Sequence, residues 1–437
     1  MPEKNDPGKK QGEKRQFINE KIVRQPLTKG QILKRLLAFF FVAVLFGVVA
    51  AISFAVSRPF AVRYFCDETT QPESSISIPK DEPSEILPEQ TEEVSTVQET
   101  EPIEEQVQSA IEKYRYSVDD LNSLYGSLRT LAQQAGKGIV QVHSVKQDVD
   151  WFDNPVETTG VYAGAVIAST RRELLILTPE AAVGQADSIK VTFDDGTEVD
   201  GHIKQKDQTS GMAVVSVNID DVAESTWKTV ETLSLGNSYT IKQGDLVIAV
   251  GSPAGMVHSI DYGFISYVMK NAQVVDGVRR ALYSDICANT QMGTFFVNTS
   301  GELVGWATQE LQTDSNGHMT EVMGISDYKG ILERLSNGLS APYFGIYGQE
   351  VSEEMSDQGL PLGIYVQNCV QDGPAYNAGI QNGDVITRIG TREITSMKEF
   401  QAALENLAST ETVSVVVERN GRDQYAELEF EVTIGAR

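Results

Sequence analysis

The sequence predicts a mainly β protein of two successive globular units, preceded by a single transmembrane helix. Three observations predict this fold class: an uncharged apolar run covers residues 36–56, short β-rich runs recur from residue 139 to about residue 304, and the C-terminal region alternates strands with one helix. At 437 residues the chain is too long for one hydrophobic core, and it has room for two or three domains.

The apolar run, from Leu36 to Val56, is long enough to cross the roughly 30 Å hydrocarbon layer as a helix. A buried core helix and a cleaved signal peptide are the alternatives, but signal peptides have shorter apolar regions of about 7 to 15 residues. Residues 1–35 carry ten Lys and Arg against four acids. The positive-inside bias therefore predicts a cytoplasmic segment 1–35, a transmembrane helix 36–56 and an extracytoplasmic remainder.

The formal net charge of the chain is −25, although its first 35 residues are basic. So acidic a surface would be repelled by phosphate backbones, which excludes nucleic acid as a partner. Residues 66–105 are rich in Pro, Ser, Thr and Glu and show no apolar periodicity, which predicts a disordered acidic spacer over residues 57–116. Cys66, Cys287 and Cys369 match no metal-ligand spacing, so neither a metal nor another cofactor is expected.

Residues 117–335 begin with a short predicted helix. A capping-box-like sequence starts at Ser117, and leucines recur at spacings of three and four from Leu121 to Leu131, which predicts an amphipathic helix ending near Gly136. The strands that follow are short and regularly spaced, which favours β-barrels or sandwiches. After a polar break at residues 336–340, residues 341–437 combine strands with a helix over residues 396–407.

Two groups of motifs carry a family resemblance. The first group is GVYAGAVIAST, ELLILTPEAAV, LSLGNSYTIKQGDLVIAVGSPAG and NTSGELVGWAT, in that order, and the second is YFGIYG and GPAYNAGIQNGDVITRIG. The first resembles the trypsin-like domain of the HtrA/DegP serine proteases, and the second is similar to the PDZ domain of that family. The resemblance implies a trypsin-like double β-barrel at 117–335 and a PDZ domain at 341–437. It also implies a bacterial, Gram-positive cell membrane as the location and a homotrimer as a possible assembly.

The chemistry departs from that family pattern. Its proteases use a Ser nucleophile, a His base and an Asp that orients the base. The His position is filled here by Ala181 and the Asp position by Gly211. The nucleophile position falls on Met292 or Gly293, depending on which flank of the shortened loop is used for counting. The sequence therefore predicts no catalytic residue and an inactive protease homologue.

Two other functions stay open at this stage. The first is a serine-type endopeptidase of protein quality control with displaced catalytic residues, because Cys287, Thr290 and Thr294 lie near the lost nucleophile. Each would need a base, and none of the four His residues falls near Ala181. The second is a structural membrane protein whose PDZ groove is vestigial.

In the family, an apolar-Gly-apolar loop of the PDZ domain offers backbone N–H groups to a terminal carboxylate, and the next strand pairs with the peptide. The predicted peptide-binding residues are Tyr343, Phe344, Gly345, Ile346, Phe400 and Leu404. The alternative for Phe344 and Ile346 is that they are ordinary core residues. The expected function is to bind unfolded or C-terminally exposed polypeptides, or to scaffold a partner.

Overall fold

The computed structural model describes residues 75–83, 117–149, 155–309, 319–421 and 424–437. The predicted cytoplasmic segment and transmembrane helix, residues 1–56, lie outside these ranges, as does most of the predicted spacer. Within the described ranges, none of the helices is long and apolar enough to cross a membrane.

Helix α1 covers Val118–Gly136. The Ser117 hydroxyl accepts the backbone N–H of Asp120, and the Asp120 carboxylate accepts the backbone N–H of Ser117, which confirms the predicted capping box. Leu121 and Leu124 are more than half exposed, whereas two alanines of the last turns are buried. The helix therefore packs against the protein mainly through its C-terminal end.

The first barrel closes six antiparallel strands in the order β1-β2-β3-β6-β5-β4. Its core is almost entirely Val, Ile, Leu and Ala, because the β-branched side chains alternate between the inside and outside of the pleated sheet. The strands are β1 Ile139–Val149, β2 Pro155–Ser169, β3 Glu173–Pro179, β4 Ser188–Thr192, β5 Glu198–Asp207 and β6 Met212–Asn218.

The second barrel has the order β10-β11-β12-β9-β8-β7 and follows a short connecting helix, α2, at Glu224–Trp227. Its strands are β7 Leu246–Gly251, β8 Ser259–Val274, β9 Gly277–Ser284, β10 Thr294–Val297, β11 Leu303–Thr308 and β12 Thr320–Gly324. One apolar cluster contains Leu177 of the first barrel together with Phe295 and Trp306 of the second. The two barrels therefore share a core, and the predicted double β-barrel is confirmed.

The C-terminal unit begins after α3, Lys329–Ser336, and has its own apolar core. Its main sheet has the order β14-β15-β16-β18-β19, with β17 paired to β16, and β13 pairs with β20 near the chain end. The strands are β13 Pro342–Tyr343, β14 Ile346–Glu350, β15 Ile364–Cys369, β16 Val385–Ile389, β17 Arg392–Glu393, β18 Thr412–Asn420, β19 Tyr425–Thr433 and β20 Gly435–Ala436. The helices are α4 Glu353–Asp357, α5 Pro374–Ala378 and α6 Met397–Glu405. Helix α6 confirms the helix predicted at residues 396–407.

Residues 75–83 differ from the expectation of a disordered spacer. Ile78 donates its backbone N–H to Glu333 Oε2 of α3 at 2.8 Å, and Asp81 pairs with the buried Lys329 at 2.9 Å. Ile76 and Ile78 pack against the core shared by the barrels. Composition describes the spacer as a whole, whereas the docking of residues 75–83 depends on only two isoleucines and one carboxylate. The acidic composition therefore did not predict it.

Candidate functional site

A cleft of about 830 Å³ is lined by loops of both barrels. Ala181, Gly211, Met292 and Gly293 all line it, although they come from three separate parts of the sequence. The structure therefore brings together the four positions that the sequence assigned to the catalytic site. The cleft has the volume of a typical ligand site.

The positions expected to hold the base and its orienting acid lie side by side at the edge of this cleft. Ala181 is exposed on a single 3-10 turn, Glu180–Ala182, that follows β3. The N–H of Glu180 donates to the Gly211 carbonyl at 2.7 Å, which holds the two segments together. Glu180 also forms a half-exposed ion pair with Lys206 at 2.7 Å. An ion pair therefore lies beside the backbone contact that joins these two segments.

The structure shows which of Met292 and Gly293 has room for a side chain in the cleft. Gly293 has a left-handed φ of +88°, and a Cβ atom there would lie 2.4 Å from the carbonyl oxygen of Ala163. Contacts that close do not occur between real atoms, so residue 293 has no room for a side chain. Met292 is half-buried in the cleft lining, and its carbonyl accepts the Ala163 N–H at 2.7 Å. Met292 is therefore the position that presents a side chain to the cleft.

The loop before β10 already uses its backbone donors. The N–H groups of Gln291 and Met292 both donate to Asn289 Oδ1 at 2.9 Å, and the Thr294 hydroxyl donates to the Asn289 carbonyl at 2.6 Å. An oxyanion hole needs backbone donors aimed at a substrate oxygen. The carbonyl oxygen of a bound chain would have to displace the Asn289 side chain to reach these two N–H groups.

In the C-terminal unit, the predicted peptide-binding residues lie in two places: residues 343–346 in and beside the loop that joins β13 to β14, and Phe400 and Leu404 on α6. Phe344, Ile346 and Phe400 are fully buried and Leu404 is nearly so, and the rings of Phe344 and Phe400 meet edge to face at 5.6 Å. The structure thus places these four side chains in the core of the unit. For Phe344 and Ile346, this is the alternative of ordinary core residues that the sequence analysis left open. Gly345 adopts a left-handed φ of +88°. That conformation turns successive N–H groups of the loop toward one point.

A carboxylate occupies that point. Asp276 accepts the backbone N–H of Phe344 at 2.9 Å, of Gly345 at 2.7 Å and of Ile346 at 3.0 Å. Burial, followed by the nearby Asp276 charge, raises the pKa of Tyr343, the first residue of the loop. Sequence reasoning missed Asp276. The only signal for it was an Asp-Gly pair between two β-rich runs, which reads as an ordinary turn.

Models of known families match both units. The trypsin-like peptidase domain matches residues 159–305, and the PDZ domain matches residues 342–430. The chain joins a trypsin-like peptidase domain to a PDZ domain, as HtrA/DegP proteins do. The resemblance read from the sequence motifs is thereby confirmed.

The relatives that this chain resembles are bacterial serine proteases by name. The serine protease Do-like HtrA of Lactobacillus helveticus is 26% identical over 286 residues, which are 61% of this chain and 68% of that protein. The probable periplasmic serine endoprotease DegP-like of Pseudomonas savastanoi is 29% identical over 292 residues, covering 65% of this chain but only 57% of that protein. The serine protease Do-like HtrA of Bacillus subtilis is 24% identical over 334 residues, covering 72% of each chain.

Solved structures support the fold. The HtrA-type protease AlgW with a decapeptide aligns with a TM-score of 0.50 and 19% identity over 70% of this chain and 98% of that one. A variant of the same protease with a decapeptide gives a TM-score of 0.51 and 20% identity over 71% and 97%. At this level of identity the match establishes the shared fold.

The comparisons correct one prediction. The sequence predicted that the chain is not an enzyme, whereas its matched domain is a peptidase domain and its relatives are named serine proteases. The prediction rested on the residues at the family's triad positions, and the endopeptidase with displaced catalytic residues was kept only as an alternative. Of the displaced candidates, Thr290 and Thr294 line the cleft of the peptidase domain, and Cys287 is exposed but is not among the lining residues.

A further hydroxyl in the cleft was missed by the sequence analysis. Ser210 lies directly before Gly211, is buried, and its carbonyl accepts the indole N–H of Trp306 at 3.3 Å. Its position next to Gly211 is the signal that could have found it. Among the described residues, the lining of the cleft contains no His, and His143 instead bonds Thr192 on the first barrel at 3.0 Å. No group of three His, Cys, Asp or Glu in the described ranges is placed to hold a metal ion.

Proposed function

We propose that this protein binds polypeptides at two places, with an extended segment in the cleft of the peptidase domain and a free C-terminus at the PDZ loop. Unfolded chains and proteins with an exposed C-terminus are the targets that present both features. The targets are therefore selected by backbone and chain end rather than by a folded surface.

The observation that carries the proposal is the convergence of three consecutive N–H groups, those of Phe344, Gly345 and Ile346, on one carboxylate. Bonds from backbone donors to a charged acceptor are each worth about 1.5 to 3 kcal/mol. A chain end supplies such a carboxylate whatever the sequence before it. The loop therefore suits recognition of a C-terminus.

The cleft adds the second contact. It is open and of mixed polarity, and Trp306, Phe295 and Met292 give it apolar surface beside the polar edge formed by Glu180. The HtrA-type protease AlgW, whose structure shares this fold, was solved with a decapeptide. A cleft of this size accommodates several residues of an extended chain.

We place the described domains outside a bacterial cell membrane, anchored through residues 36–56 with residues 1–35 in the cytoplasm. The uncharged run and the basic residues before it support this topology. Protease added to intact cells should then release the two domains by cutting within residues 57–116, while a cytoplasmic control protein stays whole. A full-length chain that survives when a known exposed protein is digested would contradict this topology.

The binding test uses a fluorescent peptide that ends in valine, as the free acid and as the C-terminal amide, titrated into the full-length chain. We expect the acid to bind at least about tenfold more tightly, because the amide loses the charge that strengthens the N–H bonds. Gly345→Val should remove the difference, since φ is +88° and a Cβ there would lie 3.2 Å from the Tyr343 ring. Gly359→Val is the matched control, with a similar φ of +95° and open space around it.

Equal affinity for acid and amide would reject the PDZ part of this proposal. Loss of the preference in both glycine variants would show that unfolding, rather than the loop, explains the effect.

Hydrolysis of the bound chain is the second candidate function, favoured by the peptidase match and by the hydroxyls in the cleft. With Met292 at the family's nucleophile position, another oxygen would have to attack the peptide carbonyl, and Ser210, Thr290 and Thr294 are the lining hydroxyls described above. A nucleophile of this kind needs a base within hydrogen-bond reach. Cleavage of unfolded casein, together with fluorophosphonate labelling mapped to one of these residues, would establish it. Absence of both would reject this second function and leave the binding proposal standing.

A further inference from the structure

Asp276 lies at the tip of the hairpin that joins β8 to β9, in the peptidase domain. Its side chain is only 1% exposed, and its backbone has a left-handed φ of +62°. A positive φ is usual for Asp in an Asp-Gly hairpin turn, but burying a carboxylate is costly unless donors surround it. Its burial therefore indicates that groups outside the hairpin contact Asp276.

Those contacts come from the PDZ domain. Besides the three N–H donors of residues 344–346, the guanidinium of Arg437, whose side chain is 4% exposed, lies 3.5 Å from the carboxylate. The backbone N–H of Asp276 in turn donates to the Ile346 carbonyl at 2.8 Å. A peptide end bound by such a loop offers the same two groups, a carboxylate and the last backbone N–H.

The flanks of the hairpin lie where the rest of a peptide would lie, between β14 and α6. On one side Gln273 bonds the Gly348 carbonyl of β14 at 3.2 Å and Gln367 of β15 at 2.6 Å. On the other side Gln401 of α6 donates to the Val278 carbonyl at 3.3 Å, and Val278 packs against the PDZ core. The hairpin therefore covers the groove as well as the loop.

We propose that Asp276 is an internal ligand of the PDZ domain, and that a free C-terminus binds only by displacing it. This rests on the proposed carboxylate-binding role of the loop and adds how access to that loop is controlled. The arriving carboxylate would take over the three N–H bonds and the position beside Arg437. In the resting protein the peptidase domain thus keeps the PDZ site closed.

The competition should be measurable because the hairpin is part of the same chain. A tethered ligand acts at an effective concentration of about millimolar, and the apparent affinity of an external ligand falls in proportion to the fraction of sites that are open. Removing the Asp276 carboxylate should therefore tighten binding of a free C-terminus by at least about tenfold. It should leave the amidated peptide almost unaffected, since that peptide has no carboxylate to place in the loop.

The test titrates the valine-ended peptide, as acid and as amide, into the full-length chain and its variants by fluorescence anisotropy. Asp276→Ala removes the carboxylate, and Asp276→Asn keeps the shape while removing the charge, which covers the case in which the alanine variant does not fold. Gln273→Ala leaves Asp276 intact and removes a side-chain tie, so it should give a smaller gain of about threefold. Asp261→Asn is the matched control, because Asp261 is exposed and lies on β8, the strand that leads to Asp276. This variant should bind like the unmodified chain.

The gain for the acid peptide in Asp276→Ala and Asp276→Asn supports the internal ligand. Unchanged affinity in every folded Asp276 variant, with the acid still preferred to the amide, would overturn it and leave the proposed function in place. If neither the unmodified chain nor any variant distinguishes the acid peptide from the amide, the loop does not bind carboxylates. Both the internal ligand and the PDZ part of the proposed function would then fail. A gain in Asp261→Asn equal to that in the Asp276 variants would also overturn the assignment, because the effect would then be one of general charge.

Discussion

The clearest perturbation of the cleft is a serine placed at each of the two candidate nucleophile positions. At Gly293 the new side chain meets a left-handed φ of +88° and a Cβ distance of 2.4 Å to the Ala163 carbonyl oxygen. The strain costs about 1 to 2 kcal/mol and the overpacking about 1 to 3 kcal/mol. The Ala163 carbonyl is fixed, since it also accepts the Thr178 hydroxyl at 3.2 Å. Gly293→Ser should therefore lower the free energy of unfolding by about 2 to 5 kcal/mol.

Met292→Ser should cost about 1 kcal/mol, because a half-buried side chain loses part of its apolar contact. We expect Gly293→Ser to melt at least about 2 °C below Met292→Ser, since the two costs differ by about 1 to 4 kcal/mol and each kcal/mol shifts melting by about 2 to 4 °C for a domain of this size. Differential scanning calorimetry of the full-length chain measures the difference. Gly244→Ser separates the two costs, since its φ is +92° but no atom lies within 4 Å of the added Cβ. Melting temperatures of the two cleft variants within about 1 °C of each other would refute the conclusion that residue 293 has no room for a side chain.

Three other perturbations test the PDZ core, a thiol and the segment 75–83. Asp384→Asn should lower the free energy of unfolding by about 2 to 4 kcal/mol, because the buried carboxylate loses its bonds to Arg419 at 2.7 and 2.8 Å and the partial exposure of Arg419 limits the cost. Urea unfolding measures this change. Glu393→Gln on the exposed β17 is the control and should change the free energy of unfolding by less than about 0.5 kcal/mol. Burial, with a smaller effect of the Asp384 charge, raises the pKa of Cys369 to about 11. Because only the thiolate reacts, the alkylation rate of Cys369 should rise about tenfold per pH unit between about pH 8 and 10. A rate that stays constant over this range would contradict the raised pKa. In limited proteolysis followed by mass spectrometry, cuts within 75–83 should appear later than cuts within 84–116, and the opposite order would contradict the docking of this segment.

The double barrel and the PDZ unit could be predicted because their signals are local. Alternating β-branched residues, regular turns and the Ser117 capping box each act over a few residues, and the structure contains the elements that they predicted. Ala181, Gly211 and Met292, each assigned by its distance from a nearby motif, line one cleft in the structure, while their catalytic assignment stays a prediction. The sequence could not choose between Met292 and Gly293. That choice depends on a backbone oxygen of β2, 130 residues earlier in the chain than Gly293.

By itself, the sequence determined that the chain carries a peptidase-like double barrel and a PDZ domain, whereas the loss of the family's Ser, His and Asp stays a prediction. Only the tertiary structure decided what occupies the PDZ loop. Asp276 is 68 residues from Phe344, in another domain, and its Asp-Gly context is that of a common turn. The contact exists because the hairpin is long enough to reach the loop when the two domains pack together. Periodicity and spacing record how each segment folds, whereas a contact between domains depends on how their finished surfaces fit.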